Sequence, residues 1–147
     1  MSATPLRLKN YFLTDLSLKA NPDFKPEEFQ DGTIDVNAKA SVRVGTHKEK
    51  PNEFQVVLGI IIEPRDERKL PYDVSMEIVG FFEVDSKFTT MPHADFVQVN
   101  GSSILYSAAR EILLSVMGRG PWEPLMLPTI SFVKPKKAEL ETTVEKK

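Results

Sequence analysis

Ile34-Asp35-Val36-Asn37-Ala38-Lys39-Ala40-Ser41-Val42-Arg43-Val44 alternates apolar and polar side chains without a break. Successive side chains of a strand point to opposite faces, so Ile34, Val36, Ala38, Ala40, Val42 and Val44 share one side. Asp35, Asn37, Lys39, Ser41 and Arg43 share the other. This is a strand with one buried and one wet face. Three further segments carry the same period. Tyr72, Val74, Met76, Ile78 and Phe82 oppose Asp73, Ser75, Glu77 and Glu83. Upstream, Leu6, Leu8, Phe12, Leu16 and Leu18 oppose Arg7, Lys9, Asp15, Ser17 and Lys19. The run from Phe54 to Ile62 loses its polar side midway, which predicts cover on both faces at its centre. The polar connections 45–52 and 64–71 carry Gly or Pro and are of hairpin length. The pattern predicts an α+β fold: a four-stranded antiparallel β-meander followed by a long amphipathic helix.

The helical period begins after Pro92. Ser102 or Ser103 is the expected N-cap, and Gly118, Gly120 and Pro121 supply the stop. At 100° per residue, Leu105, Ala108, Ala109, Ile112, Leu113, Val116 and Met117 fill an arc of roughly 180°, and Leu114 falls outside it. One small sheet needs a narrower stripe, so a second chain is expected to cover the surplus, with Leu113, Leu114 and Met117 at an oligomer interface. The competing reading is a helix sunk deep in its own domain.

Two connections are unusually apolar. The stretch from Ala20 to Gly32 is long and carries Phe24 and Phe29, and Pro121-Trp122-Glu123-Pro124-Leu125-Met126-Leu127-Pro128 is stiffened by proline. Phe24, Phe29, Trp122, Leu125 and Met126 are therefore candidates for a surface that binds apolar chain. The two phenylalanines are equally readable as anchors pinning the loop to its own sheet.

Chemistry is harder to find. The chain of 147 residues carries a net charge of −2 and no cysteine. That charge leaves no footprint for nucleic acid, and the missing thiols exclude disulfides and cysteine-ligated zinc. Neither His47 nor His93 belongs to a catalytic or metal-binding pattern, and triad, zinc-protease and P-loop patterns are absent. Gly118-Arg119-Gly120 follows a helix and reads as its C-cap. No apolar run is long enough to span a bilayer, and the first residues lack the basic-then-apolar order of a secretory signal. The expectation is a cytoplasmic, non-enzymatic single domain over residues 1–133 with a charged tail over 134–147. It needs no cofactor or metal, and it neither binds nucleic acid nor inserts directly into a membrane.

Ile104-Leu105-Tyr106-Ser107-Ala108-Ala109-Arg110-Glu111, then Gly118-Arg119-Gly120-Pro121-Trp122 and Leu125-Met126-Leu127-Pro128, with Ile130-Ser131-Phe132 beyond, resembles the SecB family of protein-export chaperones. Tyr11-Phe12-Leu13-Thr14-Asp15-Leu16-Ser17-Leu18 is similar to that family's first strand, and the likeness covers roughly Leu6 to Phe132. The resemblance implies a homotetramer, a dimer of dimers with helices sandwiched between sheets. It implies a holdase that grips unfolded polypeptides or preproteins and passes them to the SecA motor, with Asp15 and Glu77 matching acidic positions of the SecA-docking surface. Lys19 stands where the family offers another acid, and Ser75 where an apolar contact is expected. Val133-Lys134-Pro135-Lys136-Lys137 replaces the start of a second helix. A dedicated chaperone of an antitoxin or other unstable partner is the second reading. An apolar-ligand-binding or inhibitor-like module is the alternative from another class.

Overall fold

The computed structural model describes residues 4–29 and 34–132; the tail expected over 134–147 lies outside the described residues. Strands β1 (Leu6–Ala20), β2 (Val36–Thr46), β3 (Glu53–Pro64) and β4 (Tyr72–Val84) precede one helix, α1 (His93–Met117). All pairings are antiparallel, in the order β1-β4-β3-β2. Only β2, β3 and β4 follow one another as hairpins. β1 lies beside β4, so the connection after it must carry the chain to the opposite edge of the sheet. That explains its length.

The alternation read from the sequence sets the two faces. Val56, Leu58, Ile60, Ile78 and Phe82 are fully buried beneath α1, together with Leu105, Ala109, Leu113 and Met117 from the helix. Their burial supplies most of the folding drive, at roughly 25 cal/mol per Å² of apolar surface.

Two expectations about the strands are corrected. β1 carries register shifts between Leu8 and Asn10 and between Leu13 and Asp15. Each extra residue reverses the phase, so Phe12, expected beside Leu8 and Leu16, sits opposite Val79 on the helix-free face and packs its ring 5.8 Å from Phe81. The centre of β3 is covered on one face only. Its second apolar row belongs to the helix-free face, where Val57 is half-buried and Ile61 is 50% exposed.

The helix starts nine residues before the earliest predicted N-cap, Ser102, and Pro92 fills that place at its true beginning. Gly101 lies inside it. A Cβ there would stand 3.2 Å from the Phe82 ring, so the missing side chain lets helix and sheet approach. An interior glycine weakens a helix by about 1 kcal/mol against alanine, and packing onto Phe82 overrides that preference.

Candidate functional site

Leu113 and Met117, expected at an oligomer interface, have no exposed surface in the single protomer. Both are committed to its own core. Leu114 is half-buried. The apolar row of α1 that its own protomer leaves incompletely covered is Ile104, Ala108, Ile112 and Val116, four residues apart. Ile104 is 39% exposed, while Ala108 and Ile112 rest partly on the core. The arc drawn from the sequence was wide enough, but its buried centre lay elsewhere.

The two apolar connections come together. Trp122 Nε1 donates to the Asn21 carbonyl at 3.0 Å, and the Trp122 ring meets Phe24 edge-on at 5.1 Å. Phe24 stacks on Phe29 at 5.8 Å, and the Arg68 guanidinium lies 4.3 Å over the Phe29 ring. Phe24 and Phe29 are each only 8% exposed and Leu125 2%, so all three are anchors first. Met126 is the free one, 66% exposed.

These residues line two open pockets. One of about 360 Å³ is bounded by Phe24, Pro26, Phe29, Ile34, Pro121, Trp122 and Glu123. The other, of about 580 Å³, is bounded by the start of β2, Arg65, Arg110 and the segment from Glu123 to Thr129. Ile34 and Glu123 belong to both, so the pockets adjoin as one groove. Its floor is held by Tyr106, whose hydroxyl donates to the Pro128 carbonyl while Arg110 sits over the ring at 5.8 Å. Burial pushes the Tyr106 pKa up, against the opposing charge of Arg110. Ile34, Arg65 and Glu123 were not singled out in the sequence. Periodicity cannot find a groove assembled from the end of one strand, the start of another and an irregular segment.

The helix-free face holds the two acidic candidates. Asp15 and Glu77 are directly opposite across β1 and β4. Like charges in that position repel. Here the Thr14 hydroxyl donates to Glu77 Oε1 at 2.6 Å, and Arg43 reaches Glu77 Oε2 at 3.6 Å from β2. Gly59, opposite Glu77 on β3, carries no side chain to obstruct that reach. Other acids of this face are paired too, Glu83 with Arg7 and Glu63 with Lys39. Ser75 lies between Ser17 and Ile61, and the other apolar residues of this face, Phe12, Val57, Val79 and Phe81, stand further along the strands.

His47 is a turn residue, its Nδ1 accepting backbone N–H groups of Glu49 and Lys50 at 3.0 and 3.2 Å. Among the described residues no cluster of histidine and carboxylate side chains suits a metal ion, and no helix is long and apolar enough to cross a membrane.

The family model of preprotein translocase subunit SecB matches residues 1–140. The chain belongs to the SecB family. Among curated relatives, a protein-export protein SecB of Afipia carboxidovorans is 29% identical over 87% of this chain and 78% of its own length. An uncharacterized protein of Methanocaldococcus jannaschii is 27% identical over 89% of this chain and 84% of its own. Among solved structures, a Mycobacterium tuberculosis SecB-like chaperone, in complex with a peptide from an antitoxin, superposes with a TM-score of 0.64. It is 15% identical and covers 86% of this chain and 91% of that one, a likeness of fold. The SecB fold, four antiparallel strands followed by a helix, is thus the fold of this chain.

Proposed function

We propose that this SecB-family chain is a holdase, which keeps non-native polypeptides soluble by taking apolar segments into the groove between the first connection and the segment 121–128. The observation that carries the reading is the groove itself: aromatic at one end, open along its length, with Met126 standing exposed on its wall. Many small apolar contacts, each stabilising in proportion to area, recognise unfolded chain without reading its sequence. The flexible thioether of Met126 adapts to different partners. No step requires a nucleotide, a metal or a covalent intermediate, and the site of action is the cytoplasm. Exposed Ile104 and the incompletely covered Ala108, Ile112 and Val116 on the same side of α1 support a homotetramer with helices at the interface.

Delivery to SecA through Asp15 and Glu77 belongs to the same reading. The antitoxin-type chaperone is favoured by one specific observation: Glu77 is engaged by Thr14 and Arg43, and Glu83 and Glu63, elsewhere on the same face, are paired with bases. That leaves little net negative charge to draw a cationic docking partner.

Aggregation of a chemically unfolded protein, followed by light scattering without nucleotide, tests the holdase. Suppression at about one tetramer per client supports it. Unchanged aggregation at tenfold excess removes it.

A further inference from the structure

The chain has five methionines and no cysteine, so thioethers are its only sulfur targets for an oxidant. The fold sorts them by access. Met76 and Met117 are buried in the core beneath α1, and Met91 is half-buried ahead of the helix. Met126 stands 66% exposed on the groove wall. Met1 lies outside the described residues. Oxidation follows access to the sulfur and turns an apolar thioether into a polar sulfoxide.

The setting of Met126 separates a switch from damage. Leu125 and Leu127 on either side are buried in the core, and Pro124 and Pro128 stiffen the chain beyond them. Trp122 is tied to Asn21 on one side, and the Pro128 carbonyl to the Tyr106 hydroxyl on the other. The backbone is thus fixed without help from the Met126 side chain. An oxygen added there changes the wall and leaves the fold alone. Added at Met76 or Met117, it would strand a polar atom in apolar packing, but those sulfurs are screened.

Resting on the holdase reading, we propose that Met126 is a reversible oxidation site through which peroxide lowers client holding. A sulfur lone pair attacks one peroxide oxygen, and the O–O bond breaks as the S–O bond forms. The released hydroxide takes the proton of the transferred oxygen and leaves as water. Sulfur loses two electrons and the peroxide gains them. A flexible apolar contact becomes a dipole that holds water, so an apolar client segment gains less by covering it. Reversal needs a thiol reductant from outside, because the chain has no cysteine to supply one. Two thiols then become a disulfide, and the sulfoxide oxygen leaves as water.

The test treats the full chain with dilute hydrogen peroxide and maps the added oxygen by tandem mass spectrometry. Met126 should gain it about tenfold faster than Met76 or Met117. The treated protein should keep its urea midpoint and far-UV circular dichroism. It should nevertheless need about fourfold more chain for the same suppression of client aggregation, the fold-change of roughly one buried methylene. Methionine sulfoxide reductases with a dithiol should restore the starting level. Each variant is compared with itself before treatment: M126L should lose nothing to peroxide, whereas M91L should lose as much as wild type. Equal oxidation at the buried methionines, unfolding on treatment, or the same loss in M126L would overturn the inference. If the untreated chain suppresses aggregation and the oxidised chain does so equally well, the switch falls alone. If the untreated chain suppresses nothing, the holdase reading falls and takes the switch with it.

Discussion

The hydroxyl of Tyr72 holds the backbone of Trp122 from both sides, accepting the Trp122 N–H at 3.0 Å and donating to the Trp122 carbonyl at 2.9 Å. A β4 side chain thereby fixes where the irregular segment leaves α1, and so where one wall of the groove stands. Gly120 makes room for it, since a Cβ there would collide with the Tyr72 hydroxyl.

Tyr72→Phe should accordingly cost about 1–3 kcal/mol, because it strands a partly buried N–H and carbonyl. Gly120→Ala should shift Trp122 out of place. Urea unfolding measures the first. A red-shifted Trp122 emission in the folded protein, at unchanged far-UV circular dichroism, reports the second.

From the sequence, Phe24 and Phe29 are readable equally as client surface and as anchors of their loop. Their burial against Trp122 favours the anchor. Phe24→Ala or Phe29→Ala should each destabilise by about 3 kcal/mol. Met126→Asp should change stability by less than about 0.5 kcal/mol and still weaken client holding. A Met126 variant that suppresses aggregation as well as wild type would move the client surface elsewhere.

On the helix-free face, Asp15→Lys and Glu77→Lys should leave stability within about 1 kcal/mol, as exposed ion pairs contribute little. If SecA docks here, both should weaken its binding at low salt. Arg43→Gln should strengthen it, by freeing Glu77 from its cation. Isothermal titration with SecA decides this, and no heat for wild type favours the dedicated chaperone.

For assembly, Ile104→Glu should shift the sedimenting species from tetramer toward dimer or monomer without unfolding, because it places a charge on the incompletely covered row. Leu114→Glu should do so more weakly. Leu113→Glu should unfold the protomer instead, since it buries a charge in a core position. A wild-type monomer at micromolar concentration would contradict the tetramer.

Tyr106 gives a pH signature. Its folded pKa is raised by burial above the unfolded value near 10. A group shifted upward contributes stability that is whole below the unfolded pKa and is lost as pH rises through the folded one. Ionisation also removes the proton donated to Pro128. Thermal stability should therefore fall above about pH 10, and Tyr106→Phe should flatten that fall while lowering stability at neutral pH.

Period-two alternation is a local property of the chain, and it sufficed for the four strands, the buried rows of β3 and β4, and the wet placement of Asp15 and Glu77. In the apolar row of β2, by contrast, only Val36 and Val44 are buried and Ala40 is exposed. The helical block 104–117 and its glycine stop were legible for the same reason. What failed were features decided by contacts between distant segments. Bulges in β1 moved Phe12 to the other face because pairing with β4, not β1's own pattern, sets the register. The helix runs through Gly101 because Phe82 packs there. Leu113, Met117, Phe24 and Phe29 are buried because sheet and loop close over them, and their apolar character alone could not say whether a partner or their own protomer would do so. The groove is the extreme case. Asn21 and Trp122 are 101 residues apart, and only the folded sheet brings their segments within a hydrogen bond of each other.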